Sequence, residues 1–184
     1  MSTLELSVLQ IRGLILASAK GDLRYYLNGV LVDYESGLVV STDGSCLLKL
    51  AVDIKELDEY DSVIVPRVAL ETISKGGKAT DIVEIIHTVN RSILARGTLI
   101  VEFNPIDGNY PDWQRVVPKD ITGEAGQFDP DLLQRITRAL RYAMEDKDGL
   151  PYLSHNGPSP ALLTIGNCNS GTCAVIMPWR VEHA

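Results

Sequence analysis

The chain has 184 residues, of which 45% are hydrophobic and 22% charged, and its net charge is −7 at neutral pH. This is the composition of a globular protein with its own core, and it excludes disordered, collagen-like and disulfide-scaffold classes. The acidic balance excludes a broad basic grip on nucleic acid, while leaving room for a local basic lining.

Three consecutive segments of about 60 residues share one plan, a short strand, a helix and three strands joined by turns. In the first, Ser2 to Asp61, the helix is predicted over Leu6 to Ala19. Strands follow at Tyr25 to Tyr34, Gly37 to Thr42 and Cys46 to Val52, with Gly37 and Asp43-Gly44 supplying turns. In the second, Ser62 to Gly123, a strand at Ser62 to Val65 leads into a helix at Pro66 to Lys75, stopped by Gly76-Gly77. Its strands are predicted at Asp81 to Thr88, Ser92 to Ala95 and Thr98 to Phe103. In the third, Glu124 to Ala184, Asp129 caps a helix that has Pro130 at its first position and runs to about Met144. Strands are expected near Pro151 to Ser154, Ala161 to Gly166 and Cys173 to Trp179. The fold class is therefore α+β, three β-α-β-β-β units.

On the third helix, Leu132, Leu133, Ile136, Ala139, Leu140 and Ala143 form one apolar arc. Arg135, Arg138 and Arg141 recur on the other side. Such a stripe is either a plain solvated face or what phosphate contact needs. The first helix is apolar almost all round, through Leu6, Val8, Leu9, Ile11, Leu14, Ile15 and Leu16, which predicts burial on most sides, as at a subunit contact. One such unit leaves a sheet face and a helix stripe uncovered. Two units close a domain, residues 1–122, and the third, residues 123–184, remains a half domain, so self-association is expected.

Signals for chemistry are sparse. His87, His155 and His183 are scattered, and Gly76-Gly77-Lys78 lacks the spacing of a phosphate-binding loop. Asp43 and Asp112 sit in turn-like motifs. Cys46, Cys168 and Cys173 make an odd count that fits reducing surroundings. Cys168 and Cys173, set across a polar turn, read as strand residues rather than metal ligands. Neither catalysis, metal nor cofactor is expected. No apolar run reaches the roughly 20 residues of a bilayer span. Met1 to Leu6 lack the basic start of a leader, so the expected location is cytoplasmic, off the membrane.

Two stretches stand apart: Gly108-Asn109-Tyr110-Pro111-Asp112-Trp113-Gln114-Arg115-Val116-Val117-Pro118-Lys119 and Ala174-Val175-Ile176-Met177-Pro178-Trp179-Arg180. Each closely resembles a signature of the bacterial sliding clamp, the β subunit of DNA polymerase III. Further matches follow in order: Leu23 to Leu31, Val40 to Gly44, Ser62 to Arg67, and Gly126-Gln127-Phe128 with the helix after it. Together they resemble the clamp's middle domain and the second half of its last domain.

The resemblance implies a DNA-clamp fold, with antiparallel sheets outside and helices on the inner face. It implies a non-catalytic ring around duplex DNA that tethers polymerase, clamp loader or other proteins through clamp-binding peptides. The family's rings hold twelve units, so three units per chain imply a homotetramer. The groove residues it implies are Leu27, Thr42, Gly44 and Leu47 on one wall, Pro111, Arg115 and Val116 on the floor, and Val175, Met177, Pro178, Trp179 and Arg180 on the C-terminal wall. The DNA-facing residues it implies are Arg24, Lys75, Lys78, Arg135, Arg138 and Arg141. Ser45-Cys46 replaces a usual His-Arg pair, Trp179 replaces a smaller apolar residue, and the chain continues through Val181-Glu182-His183-Ala184, which implies an altered peptide preference. The rival reading is a module that does not encircle DNA, a decoy that captures clamp-binding peptides or a regulator of a full-length clamp.

Overall fold

The computed structural model describes residues 1–56, 62–166 and 171–179. Strand β1 (Ser2–Ser7) runs directly into helix α1 (Val8–Ala17). Ser7 ends one element and starts the other. Its hydroxyl accepts from the Gln10 amide, and the Gln10 side chain accepts from the Ser7 amide, which satisfies two donors that a helix start leaves unpaired. Leu6, predicted as helix, therefore belongs to the strand.

Tyr25–Asn28, predicted as strand on its aromatic content, is a 3-10 turn. The reason is local: the Asp22 amide donates to the Asn28 side chain, which donates back to the Asp22 carbonyl, and this closes the loop. Four strands follow, β2 (Gly29–Asp33), β3 (Leu38–Thr42), β4 (Cys46–Ala51) and β5 (Ile54–Glu56). The second segment supplies β6 (Ser62–Pro66), α2 (Arg67–Ser74), β7 (Ile82–His87), β8 (Ser92–Arg96) and β9 (Leu99–Glu102). The third supplies α3 (Pro130–Ala143), β10 (Tyr152–Ser154), β11 (Ala161–Thr164) and β12 (Cys173–Ile176). Asp129 caps α3 as predicted, accepting from the Asp131 and Leu132 amides. The strand expected ahead of α3 is not formed: residues 124–129 carry no strand.

The strands make two antiparallel sheets, ordered β5-β1-β7-β8-β9 and β10-β11-β12-β4-β3-β2-β6. The first two segments exchange their leading strands, β1 pairing with β7 and β6 with β2. The third segment joins the first through the third strand after each helix, β12 with β4, with Val175 opposite Leu47 and Ala174 opposite Leu48. Helices α1 and α2 pack on each other, and α3 packs on α1 and over β4, β11 and β12.

One core runs through all three segments, including Leu4, Ile11, Leu14, Val32, Leu48, Leu70, Ile136, Leu140 and Ile176. Each such fully buried side chain stabilises by about 1.5–3 kcal/mol before ordering costs. The apolar girth of α1 is thus largely used within the chain, against α3. Gly13 allows the close approach, because a Cβ there would lie 2.7 Å from the Ala139 carbonyl oxygen. The opposite face of the seven-stranded sheet carries a second, smaller core. Leu31, Val40, Leu47, Ile64 and Val175 pack there under Trp113, which the stretch after β9 lays across the sheet.

Candidate functional site

That outer core does not close completely. Beside Trp113, where the 3-10 turn, the β3–β4 turn and the end of β12 meet, a pocket of about 140 Å³ opens. Leu27, Thr42, Gly44, Leu47, Pro111, Val116, Val175 and Met177 line it, and all eight stand among the groove residues expected from sequence. Arg24, Cys46, Asp112 and Trp113 complete the lining. Trp113 and Asp112 lie inside the Gly108 to Lys119 stretch, but only the fold shows that they line the pocket.

The strands explain the apolar floor. Alternation along β4 and β12 sends Leu48 and Ile176 to the helices and Leu47 and Val175 to the outer face. The β3–β4 turn sets the rim. The Thr42 hydroxyl donates to the Cys46 carbonyl at 2.6 Å and accepts from the Gly44 amide at 3.1 Å. Gly44 has φ +92°, and a Cβ there would stand 3.0 Å from the Arg24 guanidinium. Asp43 accepts from the Ser45 and Cys46 amides at 2.8 and 3.0 Å, and from Arg135 of α3 at 2.5 Å. Burial works to raise the Asp43 pKa. The Arg135 bond and the two amides outweigh it, and the carboxyl is held below its ordinary range. Tyr110 steadies the linker over the sheet by donating to the Val40 carbonyl.

Arg24 stands at the mouth of this pocket. Its guanidinium grips Asp22 through two bonds, at 3.1 and 2.8 Å, and reaches the Asp43 carbonyl at 3.3 Å. The Arg24 side chain, with its own amide, holds Asp22 down at about 2. Arg24 thus lines the pocket and shares Asp43 with Arg135 of α3.

The rest of the expected groove sits apart. Arg115 is exposed and paired with Asp112 at 2.6 Å. Pro178 is half-buried, and Trp179 is 65% exposed, its amide donating to the Gln127 carbonyl. Arg180 lies outside the described residues, as do Cys168 and the tail from Val181. Cys46 is buried, and burial pushes its thiol pKa well up, so it is a poor nucleophile.

The arginine stripe of α3 divides. Arg138 is exposed. Arg135 is half-buried, donating to the Leu16 carbonyl and to Asp43, and Arg141 is half-buried, its Nε donating to the Gly149 carbonyl. The predicted solvated face is therefore one exposed arginine between two that hold structure. Lys75 and Lys78 are exposed just beyond α2. Among the described residues, no three His, Cys, Asp or Glu side chains gather to hold a metal ion, and no helix is long and apolar enough to cross a membrane.

The sequence profile of the DNA polymerase III beta subunit, central domain, matches residues 5–112. The chain is 34% identical over 143 residues to a beta sliding clamp of Proteus mirabilis, covering 76% of this chain and 39% of that protein. It is 36% identical over 147 residues to the beta sliding clamp of Escherichia coli K12, covering 75% and 39%. The fold is similar to a crystal structure of the DNA polymerase sliding clamp of Bacillus subtilis, with TM-score 0.74 and 16% identity, over 98% of this chain and 64% of that one. A DNA polymerase III beta subunit structure from Eubacterium rectale gives TM-score 0.72 at 18% identity, over 97% and 66%. The chain thus spans about two fifths of the length of these sequence relatives, 39% in each case.

Proposed function

This chain belongs to the family of the bacterial DNA polymerase III β subunit, the sliding clamp, and from that premise we propose that it works as a clamp. In this reading, copies close a ring around duplex DNA and hold replication or repair proteins by short peptides seated in the outer groove. The observation that carries it is the pocket beside Trp113. An apolar floor of Leu47, Val116 and Val175 under a polar rim of Arg24, Thr42 and Asp112 suits an extended peptide with an apolar anchor. Arg24 and the backbone of the β3–β4 turn fix such a peptide's direction. Arg115, Pro178, Trp179 and Arg180 serve the outer part of the same peptide. The role is tethering, which raises the local concentration of the held enzyme, and it involves no bond-breaking step.

For DNA, the reading assigns Lys75, Lys78 and Arg138 to loose phosphate contact, with Arg135 and Arg141 behind them. Such contacts carry no base information and permit sliding. Residues 1–122 act as a complete clamp domain and residues 123–184 as half of another. Four copies of the three units supply the twelve of a family ring, a homotetramer. An open edge supports self-association: β9 has β8 on one side only, with Leu99 and Ile100 40% and 55% exposed. Within the chain, the third strand after one helix pairs with the third strand after another, β4 with β12, so β9 of a second copy is the matching partner.

The groove is tested with a fluorescent peptide taken from the clamp-binding segment of a polymerase. Met177 is half-buried at the pocket wall, so Met177→Asp places a charge in the anchor site without emptying the core. Anisotropy should show at least about tenfold weaker binding with an unchanged particle mass. Equal binding by the two proteins would remove the groove from the reading.

A further inference from the structure

The first two segments complete each other by a fixed rule. The residue that caps each helix pairs with the first residue of the other segment's first strand after its helix. Ser7 lies opposite Ile82, and Pro66 opposite Gly29. The strand leading into a helix therefore belongs to the sheet of the other segment.

The third segment carries both halves of this joint, and neither is paired as a strand there, although the Gln127 carbonyl accepts from the Trp179 amide and the Gly126 amide donates to the His155 ring. Its leading stretch, residues 124–129, has no strand pairing, and Glu124, Ala125 and Gln127 are exposed. The corresponding β1 buries Ser2, Leu4, Leu6 and Ser7. On the receiving side, β10 pairs with β11 alone and forms the end of its sheet. Tyr152 on that edge is 72% exposed, and Leu150 just before it is 82% exposed. Both β1 and β6 are already committed, so no other leading strand among the described residues is available to it.

We propose that the third segments of two copies exchange these parts about a two-fold axis, residues 124–129 of each adding to the β10 edge of the other. The register follows from the rule. The cap Asp129 lies opposite Tyr152 of the second copy, Phe128 opposite Leu153, and Gln127 opposite Ser154. An independent contact agrees with it. Continued along the strands, the register places Glu124 opposite Gly157, and in the single chain the Gly157 amide already donates to the Glu124 carbonyl at 2.8 Å. The leading stretch is thus folded back over the end of its own strand and leaves Tyr152–Ser154 open. The exchange moves that contact between copies and extends it, as in a domain swap. A two-fold contact makes both joints at once and ends two open edges. The inference rests on the proposed ring, for which it supplies the contact at the end of each chain opposite β9.

The test is a cysteine pair at the predicted register. Opposed residues of antiparallel strands lie within disulfide reach, about 4.5–5.5 Å between Cα atoms. Gln127→Cys with Ser154→Cys should give a covalent dimer on a non-reducing gel after mild oxidation. Each single variant, which keeps the native cysteines, should stay monomeric on that gel. Tyr152→Lys should halve the particle mass by light scattering. Association without the 127–154 link would overturn this joint and leave a ring built otherwise. A monomer that still binds the groove peptide, or an intrachain disulfide, would overturn the exchange while leaving the groove reading intact.

Discussion

Asp43 shows how much one side chain carries here. Its carboxylate closes the β3–β4 turn through the Ser45 and Cys46 amides and ties that turn to Arg135 on α3. The sequence displays Asp43-Gly44 as a turn and Arg135 as one of a stripe, but the two lie 92 residues apart and no local pattern joins them. The pocket lining was more legible, because Pro111, Val116, Val175 and Met177 lie inside contiguous motifs. The place of Arg24 in the pocket lining was not legible, because a lone arginine carries no sign of its pairing with Asp22. Asp43→Ala should cost about 2 kcal/mol, since it leaves a half-buried guanidinium and two amides without their acceptor. Asp43→Asn, which still accepts from the turn amides, should cost about 1 kcal/mol. The pH dependence has a definite sign. The folded pKa lies below the ordinary 3.8, so the carboxylate's contribution is complete above 3.8 and is lost as pH falls through the lower folded value. Urea midpoints of wild type and Asp43→Asn should differ by a constant amount from pH 7 to 5 and converge below about pH 4. A gap that persists at low pH would show that the charge is not what matters.

At the scale of elements, helix positions were readable from caps and apolar spacing, and pairing partners were not. The all-round apolar surface of α1 announced burial, but only the fold shows that α3 of the same chain covers it. The strand expected before α3 failed for two reasons visible in the residues. Gly123 and Gly126 weaken extended structure, and among the described residues no strand pairs with residues 124–129. Gly13 tests the α1–α3 contact. Alanine in an exposed helix interior gains about 1 kcal/mol over glycine. Here the added methyl would meet the Ala139 carbonyl, a backbone atom that moves only if the helices part. Overpacking of that kind costs about 1–3 kcal/mol. Gly13→Ala should therefore lower the melting temperature, and Gly13→Val should lower it further. A stabilised Gly13→Ala protein would mean that the helices are not so close.

For the whole molecule, the proposed clamp requires a body of net charge −7 to stay on DNA. A charged surface that merely adheres loses affinity with salt on linear and circular DNA alike. A closed ring is held by topology, so on nicked circular DNA it should survive gel filtration at a salt concentration that strips it from linear DNA. Cutting the circle should release it. In the proposed clamp the basic residues serve encounter and sliding. Lys75, Lys78 and Arg138 are the ones to change, because all three are exposed, whereas Arg135 and Arg141 hold Asp43 and the Gly149 carbonyl, and reversing them would confound folding with binding. Reversing all three to glutamate should weaken equilibrium binding to linear duplex and flatten its salt dependence by about 0.9 in log–log slope for each phosphate no longer neutralised. A protein already loaded on a circle should still require a cut to leave. An unchanged slope would place the DNA path elsewhere on the molecule, and equal retention on linear and circular DNA would show that no ring had closed.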